Sequence, residues 1–227
     1  MNTSGQDQQR HDRADLMFFG RIMANVSHEF NNIITIIGEL TGLLRDLAGL
    51  VERGRPLPAD KLEQITAKIN RHTVLGKELI SNMNRFSHGV DEEVCSLDLR
   101  ETIDNLSVLT RRLLERREAT LNYTAPESEI RLICDPFLVQ RALFCSWELG
   151  LDAAGPSPVL ELVVQPEHNG VDILVSGASG GDGVSSCEKW GELSGIVDRL
   201  GGRVSADPVE AGFTIRINLP AGPEAGI

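Results

Sequence analysis

The chain has 227 residues, 41% of them hydrophobic and 24% charged, which is enough for one large or two small domains with cores of their own. Its 33 acidic residues outweigh 22 basic ones and leave a formal net charge of -11, so no basic field is available for a nucleic-acid backbone or an anionic membrane. Cys95, Cys134, Cys145 and Cys187 lie far apart with no C-x-x-C pair, which argues against a disulfide framework or a zinc site and reads as buried thiols in a reducing cytosol.

Residues 1–13 are polar and are expected to be mobile. From Leu16 a periodic signal begins: Leu16, Phe19, Met23, Val26, Phe30, Ile33, Ile37, Leu40, Leu44, Leu47 and Val51 alternate by threes and fours, a heptad seam. At about 1.5 Å per residue this helix would be roughly 50 Å long. Gly54 to Pro58 break it, and Pro58 with Asp60 opens a second helix carrying Leu62, Ile65, Ile69, Leu79, Met83 and Phe86, its seam interrupted at His72 and Gly76. The hairpin over residues 14–89 makes a poor closed core alone, so two copies are expected to form a four-helix bundle and the protein a homodimer.

Gly89 to Ser96 is short, acidic and aperiodic, and marks a domain boundary. Residues 97–220 then alternate helices and strands. Asp98 with Glu101 predicts a helix reaching about Arg117; Thr120 to Tyr123 and Ile130 to Cys134 read as strands, and Asp135-Pro136 starts another helix. Val159 to Gln165 and Val171 to Ser176 flank Asn169-Gly170 as a hairpin; Ser186 to Leu200 suits a helix and Phe213 to Leu219 a last strand, before a tail over 221–227. The fold class expected is α followed by α/β: a helical hairpin and then an α/β sandwich. The apolar stretches, such as Ile33 to Gly38, are too short to span a bilayer, and the polar start lacks a signal peptide's apolar region, so a cytoplasmic protein without a membrane sensor is expected.

With Leu16 at heptad position a, His28 falls at f and Asn32 at c, neighbours one turn apart on the solvent side. An exposed imidazole is a competent nucleophile near neutral pH, because its ordinary pKa of about 6.5 leaves one ring nitrogen free. Glu29, beside it, is the candidate to orient the ring or take its proton, and Asn32 the candidate to hold a phosphoryl oxygen or a water.

The run Val26-Ser-His-Glu-Phe-Asn-Asn-Ile-Ile-Thr-Ile-Ile-Gly38 resembles the phosphoacceptor box of two-component sensor histidine kinases, matching in order at Ser27, His28, Glu29 and Asn32. Leu97-Asp-Leu, Asp135-Pro-Phe-Leu-Val-Gln140, Leu200-Gly-Gly-Arg-Val-Ser205 and Phe213-Thr-Ile-Arg-Ile-Asn-Leu219 resemble segments of that family's ATPase domain, so the likeness extends over residues 14–220. It implies that His28 is phosphorylated, that Glu29 assists transfer and that Asn32 supports hydrolysis. It implies also that 97–220 forms a kinase-ATPase-like domain.

The departures from the pattern qualify this. Glu148 stands where the resemblance implies a magnesium-binding Asn, and Val175-Ser-Gly-Ala-Ser-Gly-Gly181 has no carboxylate where an adenine-reading Asp is implied. Asp182 comes several residues late. The lid shrinks to Asp182 to Lys189, and Gly180, Gly181 and Gly183 read as a tight loop. The expectation is therefore a phosphorelay histidine phosphotransferase resembling the ChpT type, moving phosphate between response-regulator receiver aspartates through His28. It would bind no cofactor of its own, with Mg2+ held by the partner receiver, and a hybrid histidine kinase is a further partner. Phe18, Gly20 and Ile22 flank the seam and are candidates for the receiver's docking surface, with burial within the bundle an equal explanation of Phe18 and Ile22. The alternatives are a kinase with a remodelled nucleotide site, a non-catalytic pseudokinase scaffold, and net hydrolysis through Asn32. For the remaining residues the plain readings are a packed, hydrogen-bonded histidine at His72, core or interface at Trp147 and Trp190, and at Arg111, Arg112, Arg116 and Arg117 a solvated helix face with contact to an acidic partner as the alternative.

Overall fold

The structure is a computed structural model, and it describes residues 3–91, 93–126, 128–178, 184–209 and 212–222. Helix α1 (Thr3–Glu52) and helix α2 (Ala59–His88) form the hairpin. Helical backbone thus extends over the polar residues that precede Leu16. Gly76, which breaks the apolar pattern of α2, is buried facing Ile33 of α1; a Cβ there would lie 3.6 Å from the Ile33 side chain, an ordinary contact.

After the hairpin come β1 (Cys95–Asp98), α3 (Leu99–Arg116), β2 (Thr120–Thr124), β3 (Arg131–Cys134), α4 (Pro136–Ala153), β4 (Val159–Glu167), β5 (Gly170–Ala178), a short 3-10 turn at Val184–Ser186, α5 (Glu188–Arg199), β6 (Arg203–Val209) and β7 (Gly212–Pro220). Strands β1 and β6 had no counterpart among the strands read from the sequence; both are edge strands, too polar or interrupted to show a clean alternation. Asp98 and Asp135 cap α3 and α4, their carboxylates accepting the backbone N–H of Glu101 (3.1 Å) and Leu138 (3.0 Å). The main sheet has the order β2-β4-β5-β7-β6, with β2 and β4 parallel and the other pairs antiparallel; β1 and β3 form a separate antiparallel pair. Leu160, Leu162, Ile173, Val175, Ile215 and Ile217 alternate onto the buried face of the sheet, under α4 and α5. A helical region followed by an α/β sandwich is therefore the architecture.

Helix α4 is buried on nearly every side, from Pro136 to Leu151. One face lies on the sheet, with Gly150 against Leu160 and Val175. The other meets α1, where the Phe18 ring lies 5.2 Å from Phe144, 5.4 Å from Phe137 and 5.6 Å from Phe86 of α2, centre to centre. This four-ring cluster joins hairpin and sandwich, and it changes the reading of α1. Leu16, expected in the seam, is 72% exposed, whereas Phe18 and Ile22 are buried against the chain's own domain and are not open to a docking partner. In its first half α1 turns heptad positions c and g inward as well as a and d, because α4 offers an apolar face there.

Three smaller readings are corrected. His72 is half-buried and not packed in a core, its ring bonding the Lys68 carbonyl 2.9 Å away on its own helix. Cys187 is exposed just before α5, while Cys95 and Cys134 are half-buried and face each other across β1 and β3. Burial pushes the Cys134 and Cys145 thiols up to about 12. The arginine cluster on α3 is also not merely solvated, as the site shows. No described helix is long and apolar enough to cross a membrane.

Candidate functional site

His28 and Asn32 stand exposed on α1, one turn apart, and among the described residues neither makes a hydrogen bond or an ion pair. The imidazole is therefore open to a partner approaching from solvent. Glu29 points elsewhere. Successive residues of an α-helix are about 100° apart around its axis, and the Glu29 side chain, 22% exposed, turns toward α3 and accepts a hydrogen bond from the Arg111 guanidinium. Arg111 also lies 3.7 Å from Glu115, one turn further along α3. In this arrangement Glu29 and His28 are not bonded to each other, so the structure brings His28 and Asn32 together and ties Glu29 to the second domain.

Further ion pairs cross the same junction, among them Arg199 to Asp15 at 3.8 Å and Arg85 to Glu101 at 3.2 Å. Arg21 of α1 forks onto Glu148 of α4, one nitrogen donating to Oε2 at 2.7 Å and the other to Oε1, with its guanidinium 5.3 Å from the Phe144 ring centre. Lys189 lies 3.9 Å from Glu148 and donates to Asp152 at 2.6 Å, where Arg117 adds a bond of 3.0 Å. Partial burial works to raise the Asp152 carboxyl, but Lys189 and Arg117 outweigh it and hold it below the usual value. Arg141, only 2% exposed, reaches Asp15 of α1 and Glu192 of α5, the latter at 2.8 Å.

Sequence reasoning missed these pairs. A signal for one was present: an arginine inside Phe137-Leu-Val-Gln-Arg-Ala-Leu143 must be paired if that helix is buried. Its partner lies 126 positions away, which no local pattern reveals.

Where the resemblance places metal and adenine ligands, the side chains are already engaged. Both oxygens of Glu148 are taken by Arg21, and a Cβ on Gly177 would lie 3.0 Å from the Phe213 ring and 3.1 Å from Leu160. Among the described residues, no group of three or more His, Cys, Asp or Glu side chains is placed to hold a metal ion. Gly180, Gly181, Asp182 and Gly183, read as a tight loop and a shortened lid, lie outside the described residues.

No family model matches the sequence, and no curated protein matches it. Solved structures do. The nucleotide-free catalytic domain of the histidine kinase ThkA is 16% identical, with a TM-score of 0.53, covering 59% of this chain and 100% of that one. The fold is the one found in histidine kinases. ThkA in complex with the response regulator protein TrrA is 19% identical, with a TM-score of 0.52, and covers 100% of this chain and 69% of that one, so the helical region is matched together with the α/β domain. At these identities the likeness establishes the architecture; the chemistry rests on the residues.

Proposed function

We propose that this chain is a histidine phosphotransferase of two-component signalling, in which His28 accepts a phosphoryl group from one receiver aspartate and returns it to another. The observation that carries the reading is the Arg21–Glu148 pair. The helix that bears the phosphoacceptor has occupied the position at which the resembled kinases hold magnesium. Together with the packing around Gly177, this leaves side chains that do not fit a magnesium nucleotide, so phosphate comes from outside and the chain binds no cofactor. The likeness to ThkA, whose structure was solved with a response regulator, supports a receiver as the partner. The exposure of His28 and Asn32 supports docking from the solvent side of α1.

The step conserves its atoms without ATP. A lone pair on an imidazole nitrogen of His28 attacks phosphorus, the P–O bond of the acyl phosphate breaks, and the aspartate leaves as a carboxylate with the bonding pair. The proton on the other ring nitrogen is then free to pass to water. Return of the group to a second aspartate is the same step reversed, with Mg2+ in each case held by the receiver. Asn32, one turn on, positions the phosphoryl oxygens or a water. Ile34, Leu43, Val74 and Ile80 are exposed apolar side chains on the hairpin, and a second copy forming a four-helix bundle would cover part of them.

The test mixes the protein with phosphorylated receivers and, separately, with ATP. Acid-labile label from a receiver on the wild type, lost in His28→Ala, with none from ATP, is expected. Label on His28→Ala would sink the site, and label from ATP alone would make the protein a kinase.

A further inference from the structure

Three charged side chains of α1 pair with the α/β domain: Asp15 with Arg141 and, at 3.8 Å, Arg199; Arg21 with Glu148; and Glu29 with Arg111. The pairings of the first two involve carboxylates remote in sequence from the phosphoacceptor, and brace α4. The third is the residue next to His28, and its arginine comes from the other domain. A bare Glu29 carboxylate would stand within about one side-chain length of the imidazole, facing a phosphoryl group that is itself negative. At about 8 Å, near solvent, such a repulsion slows attack by on the order of threefold to tenfold. Arg111 cancels the charge, and the same hydrogen bond turns the carboxylate away from the ring. Arg112 lines the same crevice, with Asn25, Val26 and Leu79, and adds a second positive charge to it. Glu115, 3.7 Å from Arg111, is the one other carboxylate paired with it among the described residues.

We propose that Arg111 is a positioning residue for phosphotransfer at His28: by neutralising and holding Glu29, it lets the α/β domain set the rate at which the histidine accepts phosphate. It does so without touching the phosphate. The inference rests on the reading of His28 as a phosphoacceptor, and so the experiment uses two donors.

The rate of acid-labile labelling is measured with a phosphorylated receiver and with phosphoramidate, a small donor whose P–N bond breaks as ammonia leaves. Arg111→Ala is expected to slow labelling from both donors by roughly threefold to tenfold. In a Glu29→Gln background, where no charge needs cancelling, the same substitution should change the rate less than twofold. Arg111→Lys should keep most of the rate. A merely structural arginine would slow both backgrounds alike, and that result, or a wild-type rate in Arg111→Ala, overturns the proposal. If the alanine variant unfolds in a thermal scan, Arg111→Gln reads the same ratio. Wild type labelled by phosphoramidate but by no receiver would remove the relay reading, while the phosphoramidate rates still decide Arg111. No label on wild type from either donor overturns both.

Discussion

Replacing Arg21 by alanine isolates the brace between α1 and the α/β domain. Glu148 has a side chain only 8% exposed, so removing its partner leaves a nearly buried carboxylate whose other cation, Lys189, is 3.9 Å away and shared with Asp152. Orphaning a fully buried ion costs about 3–5 kcal/mol. Arg21 is 49% exposed and Lys189 remains, which reduces that to roughly 1.5–2.5 kcal/mol. Loss of the guanidinium over Phe144 adds about 0.5 kcal/mol. A total near 2–3 kcal/mol corresponds to a fall in Tm of roughly 5–10 °C for a chain of this size. Urea unfolding at neutral pH followed by circular dichroism is the assay, with Glu148→Gln and the double variant completing a cycle. A cost below about 0.5 kcal/mol for Arg21→Ala, or simple additivity in the cycle, would refute the argument that this pair is desolvated and coupled.

Glu148→Asn, which places an amide where the resemblance implies a metal ligand, should not confer MgATP binding by calorimetry, because the space beside Gly177 is still packed by Phe213 and Leu160. Phe18→Ala should cost about 3–5 kcal/mol in urea unfolding, since its ring touches three others from two elements. Gly177→Ala forces a methyl to within 3.0–3.1 Å of Phe213 and Leu160 and should cost roughly 1–3 kcal/mol, read as a lowered urea midpoint. The Asp152 carboxyl is held low by Lys189 and Arg117. A depressed folded value contributes stability that is complete above the unfolded value near 3.9 and is lost as pH falls below it. The urea midpoint of Asp152→Asn should accordingly change less than that of wild type between about pH 5 and pH 3.

The hairpin, the two aspartate-capped helices and the β4–β5 hairpin were legible because each is written in local periodicity or a cap: the heptads of α1, Asp98 before Glu101, and Asn169-Gly170 between two alternating runs. The exposed position of His28 followed from the same heptads. What was not legible is the second use of α1. Leu16 and Phe18 differ by two positions, and only the presence of α4 decides that the phenylalanine is buried and the leucine left in solvent. The role of Glu29 was obscured in the same way. Beside a histidine it reads as that residue's orienter, and its actual partner lies 82 positions later in another domain.

The junction between hairpin and α/β domain is closed by a four-ring cluster, a fully buried Ile22 and ion pairs from three side chains of alternating sign along α1, Asp15, Arg21 and Glu29. On the proposed reading, a donor arriving at the solvent side of His28 needs no opening of this junction. The two ends of the junction then have separable effects. Loosening it at Arg21 should lower stability and leave receiver labelling of the folded protein nearly unchanged, because that pair is almost two turns from His28. Altering Arg111 should do the reverse, because it acts one residue away. A variant set in which stability and labelling fell together at both positions would mean that the domain serves His28 only by keeping α1 folded.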